Sequence, residues 1–387
     1  MFRILCCADG AEAVRWLSPP CMESWKTDCM DNGNLRCGYT TGSAAAAAAC
    51  AAYRCRISGE KPEQVRLTLP DGSLLSVPVS EVSENHAVVV KDGGDDPDVT
   101  TGAHIAVRLL EHEGADPAEY AERCGLGTLF LRGGQGVGMV TRGGLNVPVG
   151  HYAINPGPRR MISENMALAG FGKKEEELVV LIEIPEGAAL AEKTLNPTLG
   201  ITGGISILGN SGIVYPYSNA AYAASIALQL RSIAAEGGAC AALATGGRSA
   251  SAVARDFPFL REREIVRIAD FIYVAVNAAK NAHLERLIVG CMPGKLFKYA
   301  CGEKYTHAHK TKLMLPRLRE LTAELPAELP LESMESMGEL ATKVPAELYR
   351  KILYACYEKA SEHLSAWGGD DMKTEIVLYN DQGERLI

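Results

Sequence analysis

In the second half of the chain, short apolar runs alternate with longer segments of helical pattern, and this alternation constrains the fold most. Val179 to Ile184 reads as a buried strand, and 219–236 reads as a long helix followed by a strand at 240–244. A helix over 261–283 and a strand at 287–290 continue the pattern. Strands separated by helices usually pair in parallel, because each helix carries the chain back across the sheet. The pattern therefore predicts an α/β domain.

The first half has a different pattern, in which short strands follow one another closely. Strands at 64–69 and 74–79 are separated by Pro-Asp-Gly, which predicts a hairpin. One helix precedes them in the alanine-rich run after Ser43, and Ser43 is a good N-cap. Hairpin-paired strands with one early helix predict an α+β two-layer sandwich.

These patterns predict four successive parts of the chain and several further short strands. We expect a poorly ordered extension at 1–34, an α+β two-layer sandwich at 35–170, an α/β domain with a mostly parallel, Rossmann-like sheet at 175–310, and a mainly helical C-terminal region packed on it at 311–387. Short strands are also expected at 139–141, 146–149 and 375–379.

Composition excludes several classes of protein. With 387 residues, 47% of them hydrophobic, the chain can bury a large core, so disorder is not its main state. A net charge of −8 argues against nucleic acid as the main partner. No apolar run reaches the roughly 20 residues that span a bilayer, and no secretory signal is evident. Twelve cysteines in a chain of this length predict reduced thiols in a cytoplasmic protein, and without a C-x-x-C pair a structural zinc site has no local signal.

Two loops in the first half carry polar side chains in suggestive patterns. Thr40, Thr41 and Ser43 stand at the start of the alanine-rich helix, where they could hold a phosphate or a carboxylate or simply cap the helix. The loop at 91–100 carries four aspartates in seven residues, which repel one another unless a cation lies among them. Three interpretations of this loop stay open: a hard-cation site, a carboxylate that acts as a base or pairs with substrate, or a solvated turn.

Glycines are concentrated in two stretches that follow predicted strands. The stretch 199–212 and the loop 245–248 would let a cofactor approach the backbone at the strand ends of a parallel sheet, although tight turns alone would also explain them. A third glycine-rich stretch at 133–138 is not followed by a helix, so it makes an unconvincing dinucleotide fingerprint.

Basic side chains follow rigid turns at two places. Arg159 and Arg160 come after Asn-Pro-Gly-Pro and could bind carboxylates in a bidentate manner, or stand in a solvated turn. Lys295 follows Pro-Gly, and His307 lies two residues before another histidine, a spacing that suits metal or carboxylate contacts as well as a plain surface position.

Together these pieces resemble the CbiD family of cobalt-precorrin-5B methyltransferases. The resemblance is carried, in family order, by GYTTGS (38–43), VKDGGDDPDVTTG (90–102), GVGMVTRGGL (136–145), AINPGPRRMI (153–162), KTLNPTLGITGGISILGNSGIV (193–214), and GKLFKYACG (294–302) with TH (306–307). Several such pieces in one order are far more specific than any one of them.

The resemblance implies an enzyme that moves a methyl group from S-adenosylmethionine to carbon 1 of a cobalt-bound tetrapyrrole in anaerobic cobalamin biosynthesis. The partner is then a small molecule, and no protein-bound metal is expected because the cobalt belongs to the substrate. The sequence leaves a homo-oligomer open. Two alternatives remain: a metal-dependent nucleotide or phosphoryl-transfer enzyme, and a non-catalytic tetrapyrrole-binding protein. The predicted site residues are Asp92, Asp95 and Asp96 (catalytic); Gly203, Gly204, Gly209, Gly212, Thr245, Gly246 and Gly247 (S-adenosylmethionine); and Thr40, Thr41, Ser43, Lys91, Arg159, Arg160, Lys295 and His307 (substrate).

Overall fold

The computed structural model describes residues 35–307, 315–322, 325–327 and 329–387. They form two compact units, the first ending at Asn219 and the second running from Ala220 to Ile387. The sequence patterns place a boundary between 170 and 175 instead, so the division between the units falls about fifty residues later than expected. The predicted N-terminal extension at 1–34 lies outside the described residues.

The first unit is built on a six-stranded mixed sheet, with several two-stranded ribbons beside it. The strands of this sheet and of the ribbons are β1 Gly38–Tyr39, β2 Gln64–Thr68, β3 Leu74–Pro78, β4 Glu81–Ser83, β5 His86–Val90, β6 His104–Leu110, β7 Tyr120–Cys124, β8 Gly127–Gly133, β9 Gly136–Val137, β10 Met139–Val140, β11 Glu177–Glu183, β12 Ile201–Thr202, β13 Gly204–Ile205 and β14 Ile213–Val214. The order in the large sheet is β4-β5-β6-β11-β8-β7.

The strand β11 explains why the units divide later than the sequence patterns predict. It pairs antiparallel with β6 and parallel with β8, in the middle of the first unit's sheet. An apolar run buried on both faces fits the centre of any sheet, so the run alone does not reveal its partners. The expected hairpin at 64–79 is present as β2 and β3. The expected strand at 146–149 is a loop.

Helices α1 Thr41–Ser58 and α2 Pro156–Leu168 pack against each other in the first unit. Helix α1 also packs on β5 and β6, and its alanines 44–49 are fully buried. Small side chains let a helix lie close to its neighbours, which explains an alanine run inside a core. The cap is Thr40 rather than Ser43, because the Thr40 hydroxyl accepts the Ser43 N–H at 3.2 Å. Two short helices, α3 Gly187–Ala191 and α4 Asn196–Leu199, also lie in the described part of this unit.

The second unit contains a four-stranded, fully parallel sheet with helices around it. Its described helices and strands are α5 Asn219–Ala235, β15 Cys240–Ala244, α6 Gly247–Asp256, β16 Ile265–Arg267, α7 Ile272–Asn281, β17 Arg286–Cys291, α8 Pro293–Ala300, α9 Leu318–Leu321, α10 Met337–Lys343, α11 Ala346–Gly368 and β18 Lys373–Leu378. The strand order is β16-β15-β17-β18. Helix α7 falls where a longer helix over 261–283 was expected, but the first residues of that range form a short 3-10 turn and β16 instead.

The described part of the C-terminal region carries helices α9, α10 and α11, and it also supplies the last strand of the sheet. Helix α11 packs on α7, α8 and β18. Strand β18 pairs with β17 along six residues, and Ile376, Val377 and Leu378 are buried there. The parallel α/β character predicted for the second half therefore holds for β15 to β18.

Candidate functional site

Three sequence-distant segments of the first unit converge around the aspartate loop. We call residues 36–43, 91–98 and 206–217 the acidic-loop cluster. The Tyr39 N–H donates to the Asp92 carbonyl at 2.8 Å, and Gly38 pairs with Val214. The Asp96 carboxylate accepts the backbone N–H of Tyr217 at 2.8 Å. The fold thus assembles three of the sequence motifs into one place.

The cation that the aspartates require is partly supplied by Lys91. Its side chain is only 2% exposed, and its ammonium lies 2.6 Å from the Asp98 carboxylate. Burial alone would raise the pKa of Asp98, but the ammonium and the hydrogen bonds from Thr100 outweigh it and lower that pKa. A buried, paired lysine is suited to organising the loop, and this geometry favours a positioning role over direct substrate contact.

Arg36 neutralises the other end of the loop. Its guanidinium forms a bidentate ion pair with Asp92 and lowers the pKa of that carboxyl. Its backbone N–H donates to the Asp95 carboxylate at 2.6 Å. All four aspartates are therefore held by groups of the chain itself, and Asp95 is the most exposed of the catalytic candidates.

The hydroxyls at the start of α1 point into the protein. The Ser43 hydroxyl donates to the Gly212 carbonyl at 2.6 Å. The Thr41 hydroxyl donates to the Ser206 carbonyl at 3.1 Å and accepts the Leu208 N–H at 2.9 Å. The Gly42 N–H donates to the Leu208 carbonyl. The start of α1 is therefore hydrogen-bonded to the glycine-rich segment at 206–212. This geometry favours a structural role over anion binding for Thr40, Thr41 and Ser43.

The glycines of that segment lie in the first unit, not at the ends of the parallel strands where we expected them. A Cβ on Gly204 would overlap the carbonyl oxygen of Gly136, and one on Gly209 would overlap the Thr40 side chain. Gly212 lies against Ser43 and Leu69. Among the glycines predicted for the donor in this segment (Gly203, Gly204, Gly209 and Gly212), only Gly203 has open space around a hypothetical Cβ. Gly204 thus allows close backbone packing, whereas Gly209 and Gly212 leave room for neighbouring side chains.

Arg159 and Arg160 belong to the first turn of α2 rather than to a solvated turn. The Arg159 guanidinium lies 4.1 Å from the ring centroid of Tyr120, and its Nη1 is 3.3 Å from the Glu122 carboxylate. Its Nε is buried without a hydrogen-bond partner among the described residues. Arg160 is exposed.

A second cluster lies at the carboxyl edge of the parallel sheet in the second unit. The strand order turns back between β15 and β17, because β16 lies on one side of β15 and β17 and β18 lie on the other. Ligands of open α/β sheets bind outside the carboxyl ends of strands at such a switch point. Thr245, Gly246 and Gly247 follow β15, and Gly294 follows β17. A Cβ at any of these three glycines would meet nothing within 4 Å.

Charged side chains line the same edge. The Lys295 ammonium forms an ion pair with Asp270, which follows β16, and donates to the Thr306 hydroxyl at 2.9 Å. Burial lowers the pKa of Lys298, and Lys295 lowers it further. The His307 ring stacks on Tyr305 with centroids 6.0 Å apart. We call residues 245–247, 270, 292–298 and 305–307 the sheet-edge cluster.

Comparison with known proteins places these clusters in a family. A family model described as CbiD matches residues 28–216. A protein of Polaromonas naphthalenivorans named cobalt-precorrin-5B C(1)-methyltransferase is 42% identical over 297 residues, covering 76% of this chain and 79% of the relative. The chain belongs to the CbiD family.

Other CbiD relatives align over more of the chain. Proteins with the same name from Methylococcus capsulatus and Nitratidesulfovibrio vulgaris are 42% and 38% identical and cover 84% and 92% of this chain, or 87% and 93% of their own. A crystal structure described as cobalamin biosynthesis protein (cbiD) from Archaeoglobus fulgidus is 28% identical and covers 69% of this chain and 80% of its own, with a TM-score of 0.38, too low for a comparison of folds.

The CbiD family match spans nearly all of the acidic-loop cluster, which also contains residues that sequence reasoning missed. Arg36 precedes the matching motifs and carried no sequence signal, because its partner Asp92 lies 56 positions away. Asp270 was hidden because its surroundings were assigned to one long helix. Tyr217 carried no sequence signal, since its role depends on a contact with a residue 121 positions away.

Two structural observations bear on metals and membranes. Among the described residues, no three or more His, Cys, Asp and Glu side chains are grouped so as to hold a metal ion. Within the same residues, none of the helices has both the length and the apolar character needed to cross a bilayer.

Proposed function

We propose that this chain is an S-adenosylmethionine-dependent methyltransferase that methylates C-1 of cobalt-precorrin-5B to give cobalt-precorrin-6A in anaerobic cobalamin biosynthesis. The relatives named cobalt-precorrin-5B C(1)-methyltransferase support the reaction. The structural observation that carries it is the glycine-lined switch point of the sheet-edge cluster. The cobalt belongs to the substrate, and we expect the enzyme to work in the cytoplasm. A homo-oligomer is compatible with this proposal.

The donor site that we propose lies at Thr245, Gly246 and Gly247. These residues stand at the carboxyl edge of the parallel sheet, which is where Rossmann-like sheets bind their ligands. S-adenosylmethionine needs close approach to backbone for its adenosine and polar groups for its ribose and amino acid. The open glycines meet the first need, and Asp270, Lys295 and the Thr245 hydroxyl meet the second. The glycines at 203–212, which we also assigned to the donor, are better suited to shaping the first unit.

The acceptor site that we propose includes the acidic-loop cluster, in a first unit that we interpret as an α+β two-layer sandwich. The acceptor carries many carboxylates, which favour guanidinium and ammonium partners. Arg159 and Arg160 are the candidates in the first unit, and the buried Nε of Arg159 is a donor in need of an acceptor. Lys295 and His307 remain the substrate candidates of the second unit. The loops of the acidic-loop cluster are held in place by the side chains of Lys91, Thr40, Thr41 and Ser43.

The chemistry that the chain must support is an in-line displacement. The donor supplies a methyl group on a sulfonium sulfur, whose S–C bond breaks as the bond to ring carbon forms. The protein contributes positioning and exclusion of water, which together supply much of the barrier lowering in such reactions. A carboxylate that hydrogen-bonds the macrocycle would keep the acceptor carbon electron-rich. We assign this role to Asp92 and Asp95 of the loop, of which Asp95 is the more accessible.

The donor site is tested by Gly246→Val. Gly246 has extended backbone and open surroundings, so the variant should keep its unfolding free energy within about 0.5 kcal/mol. Calorimetric titration with S-adenosylhomocysteine should show affinity reduced at least about tenfold, because the new methyl groups occupy the cradle. Gly338→Val, at another open glycine in α10, is the matched control and should bind like wild type. Unchanged affinity in folded Gly246→Val would move the donor site elsewhere.

The same titration separates the proposed reaction from a metal-dependent phosphoryl-transfer enzyme. We expect binding of S-adenosylhomocysteine and none of ATP with Mg²⁺. Methyl transfer to cobalt-precorrin-5B should persist in excess chelator, since displacement at a sulfonium carbon requires no Lewis acid. Tight ATP binding or loss of activity in chelator, restored by Mg²⁺, would favour the alternative. Tetrapyrrole binding without methyl transfer would favour a carrier protein.

A further inference from the structure

Tyr217 has an unusual backbone and an exposed ring. Its φ is +54°, in the left-handed region that large side chains rarely adopt. The residue is 63% exposed. Such a conformation costs of the order of 1 kcal/mol or more in a residue other than glycine, and it persists only where the surroundings impose it. Core packing does not explain the tyrosine, because most of its surface faces solvent.

The strain is imposed from two sides by the acidic-loop cluster. On one side, Asp96 Oδ1 accepts the Tyr217 N–H at 2.8 Å. On the other side, Val214 is paired with Gly38, and the intervening Pro216 is buried. The neighbouring Asp95 N–H donates to the Arg36 carbonyl at 2.9 Å. The segment 214–217 is therefore held at both ends while the ring of Tyr217 stays in solvent.

We propose that Tyr217 is an acceptor-binding residue whose ring packs on the conjugated face of the tetrapyrrole, and that Asp96 is a positioning residue that fixes the Tyr217 backbone. This inference rests on the proposed function, and for Asp96 it replaces the catalytic role predicted from sequence. Aromatic rings stack favourably on flat conjugated systems, and a ring held in place before binding loses less conformational freedom on contact. Asp92 and Asp95 keep the role assigned to them above.

The test compares two variants at each position. Asp96→Asn keeps an oxygen that accepts the Tyr217 N–H, whereas Asp96→Ala removes it. Tyr217→Phe keeps the ring, whereas Tyr217→Ala removes it. For each variant, we would measure kcat and KM with cobalt-precorrin-5B, the affinity for S-adenosylhomocysteine, and acceptor binding by absorption titration. Tyr217→Gly adds a control for folding, because glycine adopts this φ without strain.

We expect Asp96→Ala and Tyr217→Ala each to raise the KM for the acceptor roughly tenfold, with kcat and donor affinity nearly unchanged. Asp96→Asn and Tyr217→Phe should restore most of the wild-type KM. The double alanine variant should be little worse than either single one, because both remove the same contact. Tyr217→Gly should be at least as stable as Tyr217→Ala and still bind the acceptor weakly.

Two results would overturn the inference: a kcat lost equally in Asp96→Asn and Asp96→Ala, which indicates a reacting carboxylate, or an unchanged acceptor affinity in Tyr217→Ala. Failure of the proposed function has a different signature. If wild type transfers no methyl group, the reaction assignment fails, while the absorption titrations still decide whether Tyr217 and Asp96 hold the tetrapyrrole.

Discussion

At the scale of single residues, the charges of the aspartate loop differ in what they contribute. Lys91 and Asp98 form a pair in which the ammonium is almost fully buried, and Arg36 and Asp92 form a pair near the surface. Water screens the charges of the Arg36–Asp92 pair. Little water reaches the Lys91 ammonium, so solvent cannot take the place of a lost partner in the Lys91–Asp98 pair. The two pairs therefore allow a matched comparison within one loop.

Replacing Lys91 by Met should lower the free energy of unfolding by about 2–3 kcal/mol, because the Asp98 carboxylate would lose the ammonium beside it. Arg36→Ala should lower it far less than Lys91→Met does, since that guanidinium is 60% exposed and water screens its charge. Denaturant titration of both variants at neutral pH measures the difference. Equal losses would show that burial of Lys91 does not set the strength of the pair.

The Asp98 pair also predicts a pH dependence. The pKa of Asp98 is lowered in the folded protein, so the pair contributes stability above the unfolded value of about 3.9 and loses it as the pH falls through the folded value. The deficit of Asp98→Asn against wild type should thus be full at pH 7 and shrink below about pH 4. Denaturant titrations at several pH values measure it; a deficit that grows on acidification contradicts the assignment.

At the scale of elements, close backbone packing decides what the glycine-rich segments do. Strands β9 and β13 pair in parallel, and Gly136, Gly187 and Gly204 lie so close that side chains do not fit between them. The density of glycine was visible in the sequence and suggested a ligand cradle. In the structure, Gly204 lies at a close backbone contact between short strands. Gly246, Gly247 and Gly294 have open space beside them, which favours a ligand site there.

Neighbouring glycines give a sharp test of this joint. Gly204→Ala should destabilise the protein by more than about 3 kcal/mol or prevent folding, since its Cβ would overlap backbone. Gly203→Ala should cost only about 1 kcal/mol, because its positive φ is unfavourable but the space is open. Thermal unfolding of both purified variants makes the comparison. Similar melting temperatures would mean that β9 and β13 separate easily.

At the scale of the whole molecule, the chain forms two units that carry different candidate sites. The acidic-loop cluster draws on residues from 36 to 217 and lies entirely in the first unit, whereas the sheet-edge cluster lies entirely in the second. Each cluster is built from segments that are far apart in sequence, so each depends on the complete fold of its own unit.

Donor binding should therefore protect one unit selectively. With S-adenosylhomocysteine at about 100 times its Kd, the folded state gains roughly 2.7 kcal/mol. Hydrogen exchange should slow in peptides covering 244–249 and 290–298, with little change across 91–98. Gly246→Val should reduce that protection at the same ligand concentration, and Gly338→Val should preserve it. Protection centred on the segment 203–212 would restore the donor site that we first predicted from the glycine pattern.

Much of this protein was determined by the sequence itself, because local rules suffice for elements. The alanine run predicts α1, the Pro-Asp-Gly turn predicts the hairpin of β2 and β3, and Pro293 marks the start of α8. Periodicity, turns and caps act over a few residues, so they can be read directly. The motif order was sufficient to indicate the CbiD family.

Only the tertiary structure decided which elements meet. It put β11 between β6 and β8, turned the hydroxyls of Thr41 and Ser43 inward, and joined Asp96 to Tyr217. A central strand fits many sheets, and a hydroxyl or a carboxylate accepts many partners. Such choices depend on the free energy of the whole assembled unit, in which burial and hydrogen bonding are satisfied together.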